Sequence, residues 1–127
     1  MKALEIHSYP NSTPLFSQSM SAAGGGGGEE YDEATADPLE IVVAFYEERL
    51  GAAQRDAASG SATWHFPDPD GRNRGGQHLE VWPADGAYPF REAPGSSPLP
   101  PEARTVICHS TLYLPAEPDR SWGPPDV

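Results

Sequence analysis

Apolar and polar residues change period several times along this chain, and each change marks an element. Leu4 and Ile6 alternate with Glu5 and His7, which predicts a short half-buried strand over residues 1–9, followed by a turn at Tyr9-Pro10-Asn11-Ser12. From Leu15 to Ala22 the residues are small or polar, with Phe16, Gln18 and Met20 on one alternation, and this predicts an exposed strand. Glu29 to Ala36, carrying Tyr31 among acids, reads as its antiparallel return. The period then becomes helical. Leu39, Val42, Val43, Tyr46 and Leu50 recur at helical intervals with Phe45 beside them, while Glu40, Glu47, Glu48 and Arg49 fall on the opposite face. Asp37 is placed to cap this helix, Pro38 to occupy its first position, Glu40 to complete a capping box, and Gly51 to end it.

Beyond a small-residue connection over residues 52–61 the pattern returns to strands. Ala62 to Phe66 places Trp64 and Phe66 on one face, with Thr63 and His65 on the other. Pro67-Asp68-Pro69-Asp70-Gly71 is a turn signal that residues 72–76 extend into a loop. Gln77 to Trp82 is the next strand, stopped by Pro83, and the proline-rich segment 84–101 is a long loop with Tyr88 and Phe90 as aromatic anchors. Arg104 to Leu114 is the longest β-like run and reads as the central strand, apolar on both faces at its start. The expected fold class is α+β, with one amphipathic helix packed on one face of a mainly antiparallel sheet and long Pro/Gly-rich loops. Residues 1–114 form the single domain, and residues 115–127 a Pro-rich C-terminal tail without apolar period.

Five consecutive glycines, Gly24 to Gly28, predict a flexible loop between the first strands. They are no phosphate cradle, because Glu29 and Glu30 follow where Gly-Lys-Ser/Thr would be needed. Composition limits the core: Leu, Ile, Val and Phe make up about 16% of 127 residues, against 15 Pro and 13 Gly. Lys and Arg number 8 against 19 Asp and Glu, and the net charge of -11 disfavours nucleic acid and anionic lipid as partners. No apolar run approaches the ~20 residues that span a bilayer, and residues 1–12 lack the apolar stretch of a signal peptide, so a cytoplasmic location is expected.

Residues Ile6 to Ser12, the Gly24–Gly28 loop, the acidic strand around Tyr31, and Asp37-Pro38-Leu39-Glu40-Ile41-Val42-Val43-Ala44-Phe45-Tyr46 together resemble a small bacterial domain of unknown function. That family opens with a Tyr-Pro-Gly-Ala-like turn and continues with a strand pair and a helix of Asp-Ser-Pro-Glu-x-Val-x-x-Phe-Tyr type, often in exported or lipoprotein-type proteins. The likeness covers about residues 6 to 50, with an echo in residues 104–110; Asn11-Ser12 stands where the family has Gly-Ala. It implies an architecture and, if the chain is part of a longer exported protein, an envelope location. It brings no catalytic residues.

Candidate chemistry is sparse. His7, His65, His78 and His109 lie on or beside four different predicted strands, without the local spacing of a metal motif. A site from His65, His78 and His109 would require all three on one sheet face; the plainer reading is scattered histidines, and neither metal nor cofactor is expected. Cys108 and His109 are adjacent in a strand and point to opposite faces, which removes them as a catalytic dyad and leaves Cys108 as a small buried residue. Asp68-Pro69-Asp70-Gly71 supplies only half of a calcium loop. Glu29, Glu30, Asp32 and Glu33 form the densest charge cluster, a solvated strand edge or a surface for a basic partner. Trp64 and Trp82 suit a core, and Trp82 and Tyr88 also suit an aromatic patch.

The reading that follows is a non-enzymatic protein-interaction or accessory module, whose partner-binding residues are Glu29, Glu30, Asp32, Glu33, Trp82 and Tyr88. One alternative is an acidic immunity or inhibitor protein against a basic toxin or nucleic-acid enzyme. The other is a small metal-dependent hydrolase built on His65, His78 and His109.

Overall fold

A computed structural model describes residues 8–21, 26–67, 75–84 and 99–113. Its strands are β1 (Thr13–Ser21), β2 (Gly27–Thr35), β3 (Gln54–Arg55), β4 (Ala62–Phe66), β5 (Gly76–Pro83) and β6 (Thr105–Tyr113), and its helix is α1 (Leu39–Leu50). They form a six-stranded sheet in the order β1-β2-β6-β5-β4-β3, antiparallel at every pairing. One helix on an antiparallel sheet is the α+β arrangement that the periodicity predicts. The chain's last described strand, β6, lies in the interior between β2 and β5, and its first four residues are buried. Both its faces are covered, so Val106 and Cys108 can be as apolar as Ile107.

The helix buries Val42, Val43 and Tyr46. They pack on Tyr9, which precedes β1, and on Ala62, Trp64, Leu79, Val81 and Ile107, which face α1 from the sheet. A second cluster fills the opposite face, where Leu15, Ala34, Val106 and Cys108 meet Phe16, Trp82, Leu99 and Ala103. Phe45 is only half-buried: it sits edge-on to Tyr9 and Tyr46, each centroid 5.0 Å away, with the Arg49 guanidinium 3.7 Å above its ring.

The helix starts differently from the expected capping box. Pro38 takes the N-cap position, where it offers no side-chain cap, and its carbonyl accepts from the Ile41 and Val42 amides. Asp37 instead accepts from the Tyr9 hydroxyl at 2.5 Å, while its backbone carbonyl accepts from Thr105 Oγ1 at 2.7 Å. Glu40 turns away to pair with Arg55 of β3, a two-residue strand inside the small-residue connection that the pattern leaves unassigned. At the other end, Gly51 takes a φ of +92°, and its carbonyl accepts from the Trp64 indole at 2.8 Å.

Ser8 and Tyr9 are outside any strand, and Tyr9 is buried against α1 instead of extending a strand. Residues 1–7 of the expected first strand lie outside the described residues, as do Gly24 and Gly25, the 84–101 loop from residue 85 to 98 with Tyr88, and the expected tail. Gly27 and Gly28 of the glycine run already belong to β2, where a Cβ on Gly28 would come 3.1 Å from the Thr111 carbonyl. No helix among the described residues is long and apolar enough to cross a membrane.

Candidate functional site

Alternation along β2 divides the acidic cluster between the two faces of the sheet. Glu29, Tyr31 and Glu33 point to the side of α1, and Glu30 and Asp32 to the other. Only Glu29 is exposed; Glu30 is half-buried, and Asp32 and Glu33 are fully buried. The expectation of one solvated four-acid surface is therefore corrected. β2 is an interior strand, with β1 on one side and β6 on the other, so the side chains near its C-terminal end are covered on both faces.

Among the described residues, Glu33 is the most heavily bonded side chain on the helix side. It accepts from Ser8 Oγ at 2.9 Å, from Ser12 Oγ, from the Tyr9 amide at 3.2 and 3.3 Å, and from His109 Nε2 at 2.5 Å. Burial pushes its acidity down, but hydrogen bonds from His109 and Ser12, followed by the charge of His109 and the Ser8 bond, outweigh that and hold its pKa below the usual value. The His109 ring lies 5.5 Å from the Tyr31 ring and 6.4 Å from that of Tyr46. Both carboxylate oxygens of Glu33 are occupied and the side chain is shut off from solvent, so the pair clamps the 8–12 turn onto β2 and β6. The imidazole Nε2 is spent on Glu33.

Past this clamp the same face lies open. Ser17 and Ser19 of β1, Glu29 and Tyr31 of β2, and His109 and Thr111 of β6 line a groove of about 460 Å³. A smaller depression of about 290 Å³ continues it over Ser21, Gly28 and Tyr113. Register explains the grouping: Ser17 pairs with Tyr31, Ser19 with Glu29, and Glu29 in turn with Thr111, all on one face. Tyr113 is 44% exposed. The groove thus presents the exposed Glu29 carboxylate between two tyrosines, bordered by hydroxyls, which suits a guanidinium or ammonium group with a polar backbone around it. Ser17, Ser19, Tyr31, Thr111 and Tyr113 were not among the expected site residues. The alternation of Ser17 and Ser19 against Phe16 and Gln18 was the available signal.

On the opposite face, the carboxylates of Glu30 and Asp32 and the Cys108 thiol bring their donor atoms within 4.8 Å of one another. Burial, followed by a hydrogen bond and charge repulsion from Asp32 and repulsion from Glu80, pushes the Glu30 pKa up to about 9. Glu30 is therefore a neutral acid at pH 7 and hydrogen-bonds Asp32, so the group of acids is accommodated by a proton. Cys108 is pushed well above its ordinary range by burial first and by the acids around it second. Trp82 lies on this face, half-buried, with its indole donating to Glu80 at 2.9 Å. It therefore cannot share a surface with Glu29 on the helix side, and Tyr88 falls outside the described residues.

The histidines are divided in the same way. His109 pairs with Leu79 across β5 and β6, on the helix side. His65 and His78 face each other across β4 and β5 on the other side, with rings stacked 4.3 Å apart at 13°. A single site from His65, His78 and His109 is thereby ruled out by the sheet between them. Burial, followed by the charge of His65, holds the His78 pKa below its usual value. No protein-family model matches this chain, and no curated protein or solved structure matches it either, so the reading of the site rests on its own geometry.

Proposed function

We propose that this chain is a non-enzymatic interaction module whose partner is a protein segment carrying basic side chains, held in the groove over β1, β2 and β6. The observation that carries this reading is the exposed Glu29 between Tyr31 and Tyr113 on a face that α1 leaves open. Three features support it. The net charge of -11 attracts a basic partner over distances of about a Debye length, ~8 Å at physiological salt. Aromatic rings give short-range area at low entropic cost. His109 and Glu33, bonded to each other at 2.5 Å, are committed to holding the turn together.

An inhibitor of a basic toxin or nucleic-acid enzyme is the narrower form of this function, favoured by the same charge. Fluorescence anisotropy with labelled arginine-containing and neutral decapeptides, at low and high salt, tests the groove. We expect the basic peptides to bind more tightly, Glu29→Lys to weaken them at least tenfold, and Tyr113→Ala to speed their release. Equal binding of basic and neutral peptides, or indifference to Glu29→Lys, would overturn the proposal.

A further inference from the structure

We propose that the basic segment binds as an added strand on the outer edge of β1, with basic side chains at alternate positions that cross β1 to reach Glu29 and Tyr31. This mode of binding rests on the groove being the site of a basic partner. It adds the backbone contacts and the sequence pattern of the segment.

The two edges of the sheet are built differently. Proteins blunt exposed sheet edges with short strands, charges, prolines or bulges. The strand β3 uses the first two, since it consists of Gln54 and Arg55 alone, and Arg55 is paired with Glu40. By contrast, β1 is nine residues long, and among the described residues β2 is its only neighbouring strand. Pro14 and the irregular register between Pro14 and Phe16 interrupt its beginning. From Ser17 to Ser21 the register is regular, no residue is charged, and Ser17, Gln18, Ser19 and Ser21 are exposed. Alternate residues of this stretch turn their backbone N–H and C=O groups away from β2, where an extended segment pairs with them.

Small side chains make this edge a way into the groove. Ser17 pairs with Tyr31 and Ser19 with Glu29, all on the side of α1. A residue added opposite Ser19 stands two strand spacings, ~9.6 Å, from Glu29. A serine ends one atom beyond its Cβ, so the stem of an arginine or lysine lies across Ser19 and brings its charge to the exposed Glu29 carboxylate. The residue opposite Ser17 lies in the same way over the Tyr31 ring, a cation–π position. Its neighbours in the segment point to the other face, beside Gln18, where the acid across β2 is the half-buried Glu30. The segment that fits is therefore basic at i and i+2 and neutral at i+1. A second copy of the chain fits less well, because each carries a net charge of -11.

Fluorescence anisotropy on the full chain with three labelled decapeptides tests this mode. One alternates arginine and threonine, one is its block isomer with the arginines first, and one is the alternating peptide methylated at every backbone nitrogen, which keeps the charge and loses the donors. The alternating peptide should bind at least about tenfold more tightly than either of the others. In the unmutated protein, hydrogen exchange followed by NMR should show alternate amides between Ser17 and Ser21 slowing at least about tenfold when that peptide is bound, a readout that needs no variant to fold. Binding that depends on Glu29 but leaves those amides unchanged, or that the methylated copy matches within twofold, would overturn strand addition and leave the groove as a site for basic segments. Equal binding of basic and neutral peptides would overturn both. A chain that is dimeric on its own in sedimentation equilibrium, with the same amides already protected, would give the edge to a second copy and overturn the assignment.

Discussion

Removing the His109 ring should cost the fold more than any surface substitution, and the size follows from what is left behind. Glu33 is 0% exposed, so in His109→Ala its carboxylate stays buried with its strongest partner gone. Breaking a buried pair in this way costs ~3–5 kcal/mol. Ser8, Ser12 and the Tyr9 amide still donate to Glu33, which places the cost near the lower end. With a urea m-value of about 2 kcal/mol/M, typical for small proteins, ~3 kcal/mol lowers the urea midpoint by ~1.5 M. Glu33→Gln keeps the shape and loses the charge-assisted bonds, for ~1.5–3 kcal/mol at pH 7. Because the folded-state pKa of Glu33 is depressed, its contribution is present above the unfolded value of ~4.3 and is lost as pH falls through the folded value. The difference between the unmutated chain and Glu33→Gln should therefore be full at pH 7 and narrow below about pH 4. The assay is urea unfolding followed by the fluorescence of buried Trp64. A midpoint for His109→Ala within ~0.3 M of the unmutated chain, about one fifth of the expected ~1.5 M change, would refute the clamp.

Tyr46→Ala should cost ~3–5 kcal/mol and Phe45→Ala only ~2 kcal/mol, since Tyr46 is fully buried and Phe45 half-buried; urea midpoints in that order check it. The raised pKa of Glu30 gives a contribution that is complete below its unfolded value of ~4.3 and declines as pH rises through about 9. Glu30→Gln should accordingly raise the melting temperature at pH 8–9 and leave it little changed at pH 4–5, as thermal scans across pH would register. Cys108, buried and with its thiol pushed upward, should resist a thiol-specific reagent in buffer and react at once in urea.

Strand and helix periods were legible because each depends on neighbours a few residues away. The Ala62–Phe66 and Gln77–Trp82 alternations give the correct faces for Trp64, Leu79 and Val81, and Arg104–Leu114 its interior place. What escaped depends on remote partners. Asp37 is in the right position to cap α1, yet its carboxylate goes to Tyr9, from a turn 28 positions earlier. Glu33 reads as a solvated acid until β6 brings His109 beside it from 76 residues away. The histidines divide between faces because of register, which the loop after Phe66 conceals. In β3, two residues are too few for any period to appear.

Separating the acids by face also separates the two stages of binding. Charge that acts at a distance comes from exposed carboxylates spread over the molecule, including Glu29, Glu40, Glu47 and Glu48. Of the acids along β2, Glu29 alone supplies charge that acts in contact, since Glu33 is inside the clamp and Glu30 and Asp32 are behind the sheet. Reversing Glu47 and Glu48 on the outer surface of α1 would therefore slow association with a basic segment and leave its release unchanged, because rim charges act mainly on the on-rate. Substituting Tyr31 or Tyr113 would do the reverse. A four-acid contact surface would join both effects in the same residues, and their separation in stopped-flow kinetics is what distinguishes the sheet's arrangement from it.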